Sequence, residues 1–236
     1  MKSLFLTSNI WWIKKVDWNK KIPTSFFEKN NFVVNMKWCV ESYEKFILVA
    51  SDPYNYTQND MFLDLDMKAL EFSWLKFREN YILDYRNKDS VYEILKWWSL
   101  IFLSWWDTYQ QNLFFNDINL KQYLENLDCC IVWISAGSIN SANIVFNSPE
   151  TLDQAKDPCI LSWLGLCDIN IEPHFYVKKE NPFQINSILS ESHNRIIYWL
   201  PDWTYILNNV IYGECYKIYK WKIKKICDDW KIFNIL

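Results

Sequence analysis

Short apolar, β-branched runs alternate along the first 150 positions with stretches whose apolar residues recur every three or four places. The first pattern predicts buried strands and the second amphipathic helices. Strands are expected at residues 3–7, 46–50, 81–84, 99–103 and 129–134, and helices at 61–72, 90–95, 108–115, 120–126 and 136–145. Such alternation favours a mostly parallel sheet covered by helices on both faces, an α/β three-layer sandwich. Residues 147–158 are polar, contain two prolines and read as a surface loop. After a helix at 181–192 the chain turns strand-rich, at 195–198, 204–208, 214–219, 222–227 and 231–235. The last two strands read as a hairpin around Asp229-Trp230. No repeat or linker divides the sequence, so residues 1–236 are read as one domain with a β-rich C-terminal end.

Half of the 236 residues are apolar and the net charge is −3. That is enough to bury a core, and it gives no electrostatic reason to expect nucleic acid or an anionic membrane as partner. No apolar run approaches the ~18 residues of a membrane span. The opening MKSLFLTSNI carries one lysine and no small-residue cleavage site, so it does not read as a signal peptide. Seven cysteines at irregular spacing fit a reduced, cytoplasmic protein better than a disulfide scaffold or a zinc site.

The chain has 15 Trp and only 3 Gly, whereas glycine averages about 7% of ordinary chains. The tryptophans fall in pairs (Trp11–Trp12, Trp97–Trp98, Trp105–Trp106) or in turn-like settings such as Pro201-Asp202-Trp203-Thr204, Tyr219-Lys220-Trp221-Lys222 and Asp228-Asp229-Trp230-Lys231. Asp-Gly between apolar runs is a strong hairpin signal because glycine reaches positive φ without steric cost, and Asp-Trp is not. Glycine at all 15 positions would bring its count to 18, about 7.6% of the chain and an ordinary share. One reading is that these residues are glycines in the organism, encoded by a reassigned codon such as UGA. The other is a Trp-rich protein whose indoles stack on carbohydrate or peptide.

The sharpest motif is Trp133-Ile134-Ser135-Ala136-Gly137, at the end of an apolar run. With Trp133→Gly it becomes G-x-S-x-G, a serine on a strained strand-to-helix turn whose flanking positions must be nearly free of side chain. Ser135 as a simple helix N-cap is the alternative. A serine nucleophile needs a base, and the sequence offers His174, at the end of an apolar strand in Glu172-Pro173-His174, and His193, at a polar helix end. The imidazole's orienting acid could be Asp202, or Glu150 or Asp153 in the long loop. Ser104-Trp105-Trp106-Asp107-Thr108, read with glycines, becomes a loop whose N–H groups could approach a substrate carbonyl; a tight strand-to-helix turn is the plain alternative.

With glycine restored, MKSLFLTSNI, LIFLSGGDTYQQNL, IVGISAGSINSA, SGLGLCDINIEPHF and YGLPDGTYIL resemble, in order, the landmarks of the peptidase E (aspartyl dipeptidase) family, relatives of cyanophycinase. The resemblance implies a fold like that of class I glutamine amidotransferases and a serine peptidase acting on short peptides, dipeptides with N-terminal aspartate above all. It places Ser135 on the nucleophile, His174 on the base and Asp202 on the acid, with no metal or organic cofactor. The oxyanion would meet the backbone N–H of Ala136 and one from Trp105–Trp106. The family's G-G-G-N-T is here Ser104-Trp105-Trp106-Asp107-Thr108, with Ser104 for Gly and Asp107 for Asn as departures even with glycines restored, and Asp107 and Thr108 are candidate substrate contacts. A substrate carboxylate needs a cation, for which Lys178, Lys179 and Arg195 are the nearest in sequence. An inactive scaffold or an amidotransferase-like activity is the competing reading.

Overall fold

The computed structural model describes residues 2–10, 13–15, 21–96, 100–104, 106–151, 153–154, 159–161 and 164–235. In chain order they form β1 (Ser3–Thr7), β2 (Ile13–Lys15), β3 (Lys21–Pro23), α1 (Phe32–Cys39), β4 (Lys45–Val49), α2 (Tyr56–Phe72), β5 (Glu79–Leu83), α3 (Val91–Leu95) and β6 (Leu100–Leu103). Then come α4 (Thr108–Asp117), α5 (Leu120–Glu125), β7 (Cys130–Ile134), α6 (Ala136–Asn140), β8 (Val145–Phe146), β9 (Ile160–Leu161), β10 (Asn170–Glu172), α7 (Phe175–Lys178) and α8 (Pro182–Glu191). The C-terminal part is all strand: β11 (Ile197–Trp199), β12 (Tyr205–Leu207), β13 (Val210–Tyr212), β14 (Cys215–Tyr219), β15 (Lys222–Cys227) and β16 (Ile232–Asn234).

The main sheet has the order β16-β13-β12-β1-β7-β6-β4-β5. Its five strands from β1 to β5 are parallel, and β12, β13 and β16 continue it antiparallel. The inner parallel strands β4, β6 and β7 are apolar on both sides because both sides are covered. Along β7, Ile131 and Trp133 face one core with α4 and α5, while Cys130, Val132 and Ile134 face the other with α1 and α2. Ile47 and Val49 against Phe46 and Leu48 repeat the alternation in β4.

A second sheet, β10-β11-β14-β15, was not foreseen. It overturns the expected hairpin between the last two strands: β15 pairs with β14, whereas β16 crosses to the main sheet and pairs with β13. Asp228 to Lys231 form the corner between the sheets, closed by the Lys231 N–H on the Asp228 carbonyl. The helix expected over 136–145 stops at Asn140, because Ala142 bridges to Cys167 and Val145–Phe146 pair with Ile160–Leu161.

Five of the eight described tryptophans have positive φ: Trp74, Trp106, Trp203, Trp221 and Trp230. Four stand where a named motif asks for glycine. Trp74 follows α2 with its own N–H on the Glu71 carbonyl and the Leu75 N–H on the Leu70 carbonyl, a Schellman cap with tryptophan at its left-handed position. Trp203 (φ 73°) and Trp230 (φ 62°) are third in turns closed by Thr204 to Pro201 and Lys231 to Asp228. Lys220 (φ 47°) and Trp221 (φ 65°) form the two-residue turn between β14 and β15, where Asn-Gly is the favoured pair. Trp133 and Trp199 are fully buried in strands, and neither indole N–H has a hydrogen-bond partner.

Candidate active site

The site gathers at the C-terminal ends of parallel strands from both sheets, where an α/β fold leaves its crevice. Ser135 follows β7 with φ 51° and ψ −106°, a strained conformation for a non-glycine residue. Gly137 explains the second small residue of the motif: a Cβ there would lie 2.6 Å from the Leu103 carbonyl oxygen, so the first turn of α6 lies directly against the end of β6.

His174 and Asp202 each follow a strand of the second sheet's parallel pair, β10 and β11. The Ser135 Oγ lies 2.8 Å from His174 Nε2, and His174 Nδ1 lies 2.7 Å from Asp202 Oδ1. The acid at Nδ1 is therefore Asp202 and neither Glu150 nor Asp153. His193, the other histidine, sits after α8 and takes no part.

A cavity of about 350 Å³ opens in front of Ser135 and His174, lined also by Trp106, Asp107, Thr108, Ala136, Glu150 and Lys178. Asp107 caps α4, its Oδ1 accepting the Gln110 N–H at 2.9 Å. Trp105, the other expected oxyanion-loop residue, lies outside the described residues. Beside the cavity is a buried polar cluster. Lys178 donates to Glu172, Ser148 donates to the same Glu172 oxygen at 3.0 Å, and Gln184 donates to Ser148 Oγ at 2.9 Å. Burial pushes the Glu172 carboxyl above its ordinary range, against the pull of Lys178. Glu150 comes within 4.0 Å of the Lys178 ammonium from the rim.

Arg195 does not belong to this site. It precedes β11, pairs with Glu191 and lines a separate cavity with Leu4, Asp168 and Asn208, at the opposite end of the strands. Lys179 follows α7 and stands over the Phe175 and Tyr176 rings. Sequence reasoning also missed Ser8, which touches both His174 and Asp202. No pattern marks it, because a serine after a strand has no spacing relation to residues 166 and 194 positions away.

Among the described residues no group of three or more His, Cys, Asp or Glu side chains could hold a metal ion, and no helix is long and apolar enough to cross a membrane. No family model and no curated protein matches the sequence. Solved structures do match. A peptidase from an acI-B1 Actinobacterium aligns over 99% of this chain and 96% of its own, with a TM-score of 0.70 and 12% identity. A putative peptidase E protein from Listeria monocytogenes EGD-e aligns over 96% of this chain and 98% of its own, with a TM-score of 0.58 and 14% identity. The chain thus has an α/β fold with a mostly parallel central sheet, of the peptidase E type.

Proposed function

We propose that this protein is a serine-type peptidase that hydrolyses short peptides through an acyl-enzyme. The observation that carries the reading is the unbroken relay from Ser135 Oγ to His174 to Asp202 at the wall of an open cavity. Ser135 attacks the scissile carbonyl while Nε2 takes its proton, and the oxyanion meets the Ala136 N–H and one from the Trp105–Trp106 loop. Collapse breaks the C–N bond as His174 returns the proton to the leaving amine. Water, deprotonated by the same imidazole, then releases the acid. Asp202 holds the tautomer and stabilises the imidazolium. A serine-directed phosphonate should label Ser135 and abolish dipeptide hydrolysis; a folded protein that is neither labelled nor active would be an inactive scaffold instead.

For the substrate we propose dipeptides with N-terminal aspartate, with Lys178 as receptor for the side-chain carboxylate. Lys178 is the one Lys or Arg among the described residues lining the cavity. Its ammonium already serves Glu172, so an incoming carboxylate would replace Glu150 as the second anion. Asp-Leu should be cleaved faster than Ala-Leu or Lys-Leu, and equal rates would remove the aspartyl preference while leaving the hydrolase.

We further propose that most of the fifteen tryptophan positions are glycine in the organism, through a codon such as UGA. Supporting this are the four tryptophans in glycine-specific turn and cap positions and the two buried, unpartnered indoles. The exposed Trp38 on α1 shows neither feature. Reading the gene decides it, since UGG at these positions would end the proposal.

A further inference from the structure

We infer that Ser8 is a positioning residue of this site, a single hydroxyl that ties the histidine loop to the acid and holds both against the end of β1. The kinetic half of the argument rests on the peptidase reading; the geometric half does not. Ser8 is fully buried, directly after β1. Its Oγ accepts the His174 backbone N–H at 2.8 Å and donates its own proton to Asp202 Oδ1 at 2.9 Å, the same oxygen that faces His174 Nδ1. The preceding residue completes the arrangement, because the Thr7 carbonyl accepts the Ser135 N–H at 3.1 Å. Thr7, the last residue of β1, and Ser8, the residue after it, therefore touch between them Ser135, His174 and Asp202.

His174 has left-handed backbone angles, φ 63° and ψ 46°, so its N–H points out of any helix or strand ladder. Ser8 is the partner that satisfies it and so fixes the direction in which the imidazole leaves the backbone. The second bond acts on charge. A carboxylate oxygen that accepts from a hydroxyl as well as from the imidazole is the weaker base, which keeps the proton on Nδ1 and leaves Nε2 free to accept from Ser135. A serine serves because both bonds use one oxygen, accepting on one side and donating on the other.

The test compares Ser8→Ala, which removes both bonds, with Ser8→Thr, which keeps the hydroxyl, in whichever parent, tryptophan- or glycine-decoded, melts higher. Ser8→Ala should lower kcat about 10- to 100-fold with KM within about twofold, and Ser8→Thr should recover most of it. Independently of turnover, the His174 imidazole is titrated by NMR, assigned with His193→Gln. Loss of the Ser8 donor leaves more charge on Asp202, so the imidazole pKa should rise in Ser8→Ala and return in Ser8→Thr. The other charged groups around the imidazole stay in place: Glu172, Lys178, Glu150 and Asp107 on the cavity side, and Lys29, Glu214 and Asp229 in the cavity behind Asp202. If Ser8→Ala does not fold, Ser8→Cys, a weaker donor of similar size, is read by the same two measurements. A wild-type protein inert toward peptides and phosphonate would remove the peptidase reading and leave the titration to decide. An imidazole pKa that is unchanged or lower, or an active parent whose kcat does not change, would overturn the role of Ser8.

Discussion

Ser135, His174 and Asp202 come from three loops, and each is held by its neighbours rather than by its own preference. The strain at Ser135, on the order of 1–3 kcal/mol, persists because its N–H is bound by Thr7 and the turn after it is packed against β6. Replacing these proposed catalytic groups should leave this scaffold intact. Ser135→Ala and His174→Ala are expected to lower kcat by several orders of magnitude, and Asp202→Asn by about 10⁴, at unchanged melting temperature. Near-normal turnover in Asp202→Asn would show that the acid's role lies elsewhere, with Glu150, the other candidate acid that lines the cavity, next to be tested.

At the scale of elements, the close approaches decide what is tolerated. Gly137→Ala would drive a Cβ into the Leu103 carbonyl, so α6 must retreat from β6 and take the Ser135 turn with it. A loss of about 1–3 kcal/mol and a severe loss of activity are expected, by denaturant unfolding and dipeptide hydrolysis. The opposite sign is expected at the end of α2. Trp74 is exposed and donates one of the two cap bonds, Leu75 donating the other, in a backbone conformation its Cβ disfavours. Trp74→Gly should therefore stabilise the chain by about 1 kcal/mol, and a destabilisation would show that its indole contributes more than its backbone loses.

For the whole molecule, the same backbone cost recurs at Trp106, Trp203, Trp221 and Trp230, which also have positive φ. The chain with glycine at all fifteen positions is expected to melt higher and to hydrolyse dipeptides faster than the chain as written. A few kcal/mol of released strain is a large part of a typical 5–15 kcal/mol of stability. Equal melting and equal turnover would count against the reassigned codon.

The sequence alone determined the parallel half of the sheet, because strands buried on both faces must be continuous apolar runs and the helices between them must carry a one-sided stripe. It also marked Ser135 and His174, since a serine between a strand and a helix and a histidine at a strand tip leave local traces, but it left Asp202, Glu150 and Asp153 open as the acid until the family resemblance pointed to Asp202. The tertiary structure decided the rest. Whether β15 pairs with β16 or β14 depends on which sheet edge is open, and no local pattern records an edge. Arg195 and Lys178 look alike as free cations in the sequence, yet one lies at the far end of the strands and the other beside a buried glutamate. Ser8 became visible only when β1, β10 and β11 brought three distant segments within 3 Å, because a hydrogen bond depends on distance in space and not on separation along the chain.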